Sequence, residues 1–109
     1  GYLNKRGEVN KAFQRRWFVL TGNLLFYYDK RFDSEPIGVI VLEGYMVEML
    51  ESSGRYVFEL VFPGVSSRTY ILAADSQEEM ESWMKALTCA SYDFMKSAII
   101  ELQNQLDNM

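Results

Sequence analysis

At Ser76 the hydrophobic period of this chain switches from two to between three and four, and that switch constrains the fold more than any other feature. Upstream, β-branched and aromatic residues come in short runs separated by turn formers. The runs are Gly1 to Lys5, Gln14 to Thr21, Leu24 to Tyr28, Ile37 to Leu42, Tyr45 to Leu50, Tyr56 to Phe62 and Arg68 to Ala73. Gly22-Asn23 tolerates positive φ and suits a tight hairpin. Pro36, Ser52-Ser53-Gly54 and Pro63-Gly64 punctuate the rest. Seven strands at this spacing predict a mainly β domain, a seven-stranded antiparallel barrel or sandwich.

Downstream, Ser76-Gln77-Glu78-Glu79 is a capping box, with a hydroxyl placed to accept from the Glu79 N–H. Glu78, Glu79 and Glu81 complement the positive end of a helix dipole. Met80, Trp83, Met84, Leu87 and Ala90 then form one apolar face, suited to plug the open mouth of a small barrel. No Gly or Pro stops the helix between Cys89 and Met109. A second stripe, Met95, Ile99, Leu102 and Leu106, exceeds what closing a barrel requires. It is suited to packing on the barrel's flank, pairing with another copy, or binding a partner helix. Residues 1–90 are thus expected to form the domain and residues 91–109 a helical extension.

Length allows one core, since two in 109 residues would each be marginal. The single cysteine, Cys89, excludes an internal disulfide and favours a reducing compartment. Its place beside Leu87 and Ala90 reads as packing rather than reactive chemistry. Apolar runs such as Ile37 to Leu42 fall far short of the roughly 20 residues a membrane helix needs. No leader is visible, and the opening Gly1 reads as the start of an excised segment.

An enzyme is not expected. The chain has no His, no glycine-rich phosphate loop and no metal-ligand spacing, so neither cofactor nor metal is foreseen. Charge is unevenly spread. Residues 1–31 carry seven basic and two acidic side chains, a net of +5, whereas the remainder carries four against thirteen, a net of −9. The basic N-terminal end suits an anionic partner. A nucleic acid is disfavoured by the overall charge of −4, and Trp17 reads as a core residue of the second strand.

Several stretches occur in a telling order. Gly1-Tyr2-Leu3-Asn4-Lys5 is followed, after a basic loop, by Arg15-Arg16-Trp17-Phe18-Val19-Leu20. Gly22-Asn23-Leu24-Leu25-Phe26-Tyr27-Tyr28 and Glu35-Pro36-Ile37-Gly38-Val39-Ile40-Val41-Leu42 come next, and Trp83 lies in the capped helix. Over roughly residues 1 to 90 this set resembles the pleckstrin homology (PH) family. Within it, Glu35 to Gly44, Thr69 to Gln77 and Ala90-Ser91-Tyr92-Asp93-Phe94-Met95 resemble the sesquipedalian family of endosomal adaptors. That resemblance implies a cytoplasmic protein, peripheral on endosomal membranes, that dimerises and binds inositol 5-phosphatases. The family's phosphatase-binding peptide contains a His, so that activity is not expected in this stretch.

The resemblance also implies a phosphoinositide site. Such domains use a Lys ending the first strand, a Lys/Arg-x-Arg on the second and a Tyr on the third. Two or three phosphates need converging cations, and Arg engages a phosphate through two N–H groups. Here Lys5, Arg16 and Tyr27 occupy those positions, with Lys11 in the loop between. Gln14 departs from the pattern: it shares a strand face with Arg16 but carries no charge. Arg15 points to the opposite face, and Ile37 stands where tight binders sometimes carry a cation. Weak, salt-sensitive headgroup binding is therefore expected. The competing expectation is a protein-interaction or dimerisation module that uses Met95, Ile99, Leu102 and Leu106 without useful lipid binding.

Overall fold

The computed structural model describes residues 1–7, 12–50, 55–63 and 68–107; beyond residue 90 it describes side chains only at 100 and 102–104. Its elements are β1 (Tyr2–Arg6), β2 (Phe13–Thr21), β3 (Leu24–Tyr28), β4 (Gly38–Val41), β5 (Met46–Leu50), β6 (Tyr56–Phe62), β7 (Arg68–Ala74) and α1 (Gln77–Asp107). The strands form one antiparallel sheet in the order β4-β3-β2-β1-β7-β6-β5. This is the mainly β fold with one C-terminal helix that the change of period predicts. Strand limits differ by a residue or two where only pairing decides them. The first run shifts to Tyr2–Arg6, and Ile37 and Leu42 fall outside β4.

Local chemistry explains the turns and the helix start. Gly22 adopts φ 58° between β2 and β3, where an L side chain is strained. Ser76 Oγ accepts from the Glu79 N–H at 3.1 Å, and the Met80 N–H donates to the Ser76 carbonyl at 3.0 Å. The cap thus supplies a partner to an amide that the first helical turn otherwise leaves without one.

Alternation along each strand builds the core. Leu3, Phe18, Leu25, Ile40, Leu42, Phe58, Leu60 and Leu72 turn inward and are buried. From α1, Met80 and Leu87 join them, while Trp83, Met84 and Ala90 pack at the edge of the cluster. The helix lies against β5, β6 and β7. Its single face accounts for the Met-and-Trp stripe.

Two expectations are corrected. Trp17 is not a core residue. Phe18 faces in, so its neighbour must face out. There Trp17 pairs across the sheet with Tyr2 and Tyr28 and meets the Tyr2 ring edge-on at 4.8 Å. Cys89 is exposed rather than packed. Leu87 is fully buried, and two residues further on the helix has turned about 200°, toward solvent.

Candidate functional site

β1 ends, β2 begins, β3 ends and β4 begins at one end of the sheet, so their inward-facing residues line a common mouth. Pairing sets which they are. Lys5 lies opposite Gln14, Leu3 opposite Arg16, and Phe18 opposite Tyr27. Since Leu3 and Phe18 are buried in the core, Lys5, Gln14, Arg16 and Tyr27 share that inner face.

The Lys5 ammonium lies 5.2 Å from the centre of the Tyr27 ring and 5.8 Å from that of Tyr70. Both rings present negative π-faces to a cation. Tyr27 is held by close packing on Gly38, where any Cβ would collide with its hydroxyl. Ile37 is 53% exposed, and its N–H donates to the Tyr27 carbonyl at 2.8 Å.

Arg16 is more tightly engaged. Its Nη1 donates to Asp29 Oδ1 at 3.0 Å and to the Arg15 carbonyl at 3.2 Å, and its Nη2 donates to Gln14 Oε1 at 2.8 Å. Gln14 thus supplies an acceptor to Arg16 in the place of a second cation. Arg15, as its position on the strand predicts, lies on the other face. It pairs with Asp75 at 2.9 Å and stacks 4.4 Å from the Tyr2 ring.

Two of the predicted groups fall outside the description. Lys11 lies beyond the described residues, as do the side chains of Met95, Ile99 and Leu106. Leu102 is described and is 60% exposed. The mouth also gains three residues that sequence reasoning missed. Tyr70 sits beside Lys5, the Arg68 guanidinium stacks 4.8 Å from the Tyr70 ring, and Asp29 pairs with Arg16. Register could have revealed Asp29, because pairing of Trp17 with Tyr28 puts position 29 opposite position 16. Tyr70 carried no such signal, as its place depends on how β7 folds back beside β1.

The mouth connects to the helix through aromatic contacts on both sides. On one, Tyr27 meets Phe18 at 5.7 Å and Phe18 meets Trp83 at 6.4 Å. On the other, Tyr70 meets Phe62 at 5.8 Å, and Phe62 stacks on Tyr45 at 5.5 Å. The Tyr45 hydroxyl donates to the Leu87 carbonyl. A separate groove of about 360 Å³ is lined by Asn4, Phe13, Arg55, Tyr56, Ala73, Ala74 and Asp75, with neither Lys5 nor Arg16 in its wall. No group of three potential metal ligands occurs among the described residues. No described helix is long and apolar enough to cross a membrane.

Comparison with known proteins fits this geometry. The PH domain family model matches residues 1–92. Human Sesquipedalian-1 is 48% identical over 106 residues, covering 97% of this chain and 43% of that protein. Mouse Sesquipedalian-2 is 40% identical over 97 residues, covering 87% of this chain and 38% of that protein. The chain therefore spans less than half the length of these relatives. Among solved structures, the C-terminal PH domain of pleckstrin in complex with D-myo-Ins(1,2,3,5,6)P5 is 33% identical with a TM-score of 0.75, covering 84% of this chain and 91% of that one. The Slm1 PH domain in complex with phosphoserine is 26% identical with a TM-score of 0.73, covering 84% of this chain and 92% of that one.

Proposed function

We propose, starting from the fact that this chain belongs to the PH domain family, that it is a weak phosphoinositide-binding module of an endosomal trafficking adaptor. The PH domain and the sesquipedalian homologues are non-enzymatic, and this chain is read likewise as a non-catalytic module. The observation that carries the reading is the sharing of one inner face by Lys5, Arg16 and Tyr27, with Tyr70 and Arg68 beside them. Cations gathered on one face suit the several phosphates of an inositol headgroup. A relative of the same fold, the pleckstrin domain, was crystallised with an inositol pentakisphosphate. Lys11 belongs to the proposed site by its place in the β1–β2 loop.

Weakness follows from chemistry. Gln14 brings no charge, and a lost charge-assisted hydrogen bond costs about 1.5–3 kcal/mol. Residues 1–90 would constitute the module and residues 91–109 an extension of the same helix. Attachment would be cytoplasmic and peripheral, on endosomal membranes, as the similarity to sesquipedalians suggests. Liposome pelleting at two salt concentrations tests the site. Wild type should pellet with phosphoinositide vesicles at low salt and release at high salt, whereas Lys5→Ala and Arg16→Ala should stay in the supernatant. Equal pelleting of all three, indifferent to salt, would exclude the mouth.

A second reading is favoured by the exposure of Ile100, at 49%, and Leu102, at 60%. Apolar side chains on a helix that continues past the barrel suit a partner helix or a second copy, so the extension would serve protein binding or homodimerisation.

A further inference from the structure

We infer that Asp29 restrains the mouth: by holding the Arg16 guanidinium, it sets the affinity for a phosphorylated inositol ring. This rests on the reading of the mouth as a headgroup site and adds to it a residue that acts through Arg16.

A guanidinium offers five N–H groups in a planar fork, and phosphate is best gripped by two parallel ones. Three protein acceptors already occupy Arg16: Asp29 Oδ1 and the Arg15 carbonyl on Nη1, and Gln14 Oε1 on Nη2. Two of these are neutral. Asp29 alone carries a charge, and it is the more exposed partner, 57% against 23% for the Arg16 side chain. Both Nη1 hydrogens are thereby taken, so a phosphate that engages Arg16 through Nη1 competes with the Asp29 carboxylate for that nitrogen, and one that approaches elsewhere on the fork still does so against its charge.

The geometry sets Asp29 apart from other acids of the same connection. Asp33 Oδ2 accepts from the Lys30 N–H at 3.1 Å and thereby closes a turn. Glu35 is exposed just before Pro36. Removing charge at Glu35 changes the field of the loop without freeing Arg16. This makes Glu35→Gln the matched control for Asp29→Asn.

The test measures binding to phosphatidylcholine vesicles containing a phosphatidylinositol bisphosphate. Vesicles in which phosphatidylserine supplies the same charge run in parallel, and inositol hexakisphosphate serves as a soluble competitor. Asp29→Asn should tighten phosphoinositide binding about three- to tenfold, from loss of a surface ion pair and of local repulsion. Glu35→Gln should change it less than about twofold. Asp29→Glu should restore the wild-type value, and Arg16→Ala introduced beside Asp29→Asn should abolish the gain. The soluble competitor should displace Asp29→Asn from phosphoinositide vesicles, and the gain should not extend to phosphatidylserine vesicles.

An equal gain in Glu35→Gln would overturn the inference, since charge alone would then explain it. Weaker binding by Asp29→Asn, with an unchanged thermal melt, would also overturn it, showing that Asp29 positions Arg16 for the ligand instead. In both cases the mouth stands if Lys5→Ala and Arg16→Ala still lose binding. Should those variants bind as wild type does, the mouth itself is wrong and the role of Asp29 falls with it.

Discussion

The Tyr45 hydroxyl donates to the Leu87 carbonyl, fastening the β4–β5 connection to the N-terminal half of the helix. Tyr45 is 5% exposed and Leu87 fully buried, so the bond lies where water does not compete. It closes one arm of the aromatic path that runs through Phe62 and Tyr70 to Lys5. Tyr45→Phe keeps the ring stack and removes only the hydroxyl. Its expected cost is about 0.5–1.5 kcal/mol, read as a lower urea midpoint with an unchanged slope.

Gly38→Ala should disturb both stability and the mouth. A Cβ there would run into the Tyr27 ring and hydroxyl, so the ring must move. Overpacking of this kind typically costs about 1–3 kcal/mol. Because Lys5 rests against the same ring, headgroup binding should fall with it. Calorimetry and vesicle pelleting on the one variant check the pair of effects; unaltered pelleting would separate Tyr27 from the site.

Glu48 and Glu59 stand directly opposite each other on β5 and β6. Desolvation, then a hydrogen bond with Glu48 and repulsion from its charge, hold the Glu59 carboxyl above its ordinary range. With its folded value raised, the native state binds more protons than the unfolded chain in the window just above the usual carboxylate range. Stability is therefore greatest below that window and declines as pH rises through it. Glu59→Gln should flatten this slope and stabilise the domain near neutrality by about 0.2–1 kcal/mol, the scale of a like-charge cross-strand pair. Denaturation midpoints across the acidic range would show it.

Leu102→Asp should leave the fold intact, within about 0.5 kcal/mol, because the side chain is already 60% exposed. If the helix joins two copies, sedimentation velocity will show the wild type heavier than the variant. Identical monomeric behaviour of both would remove self-association through Leu102.

Much of the fold was legible because its signals are local. The helix start depends on Ser76 and Glu79, three residues apart, and the cap forms as their spacing predicts. The Tyr56–Phe62 strand was readable to its ends, since turn formers bound it on both sides. Errors arose where both faces of a strand are apolar. Trp17 and Phe18 are equally plausible core residues until a neighbouring strand decides which faces in. Cys89 was misjudged because nearness to Leu87 in sequence is not nearness on a helix. At the mouth, Lys5, Arg16 and Tyr27 followed from a motif, but Tyr70 came from strand packing that no short pattern encodes.

The uninterrupted run of α1 from Gln77 to Asp107 has a mechanical meaning. At 1.5 Å per residue, Leu102 stands about 33 Å along the axis from Met80, which is anchored in the core. Long helices curve only gently, so barrel and far end move as a lever. A barrel rocking by about 20° would sweep Leu102 through roughly 11 Å. If the domain docks on a membrane as proposed, its tilt there would set where the far end of the helix is held.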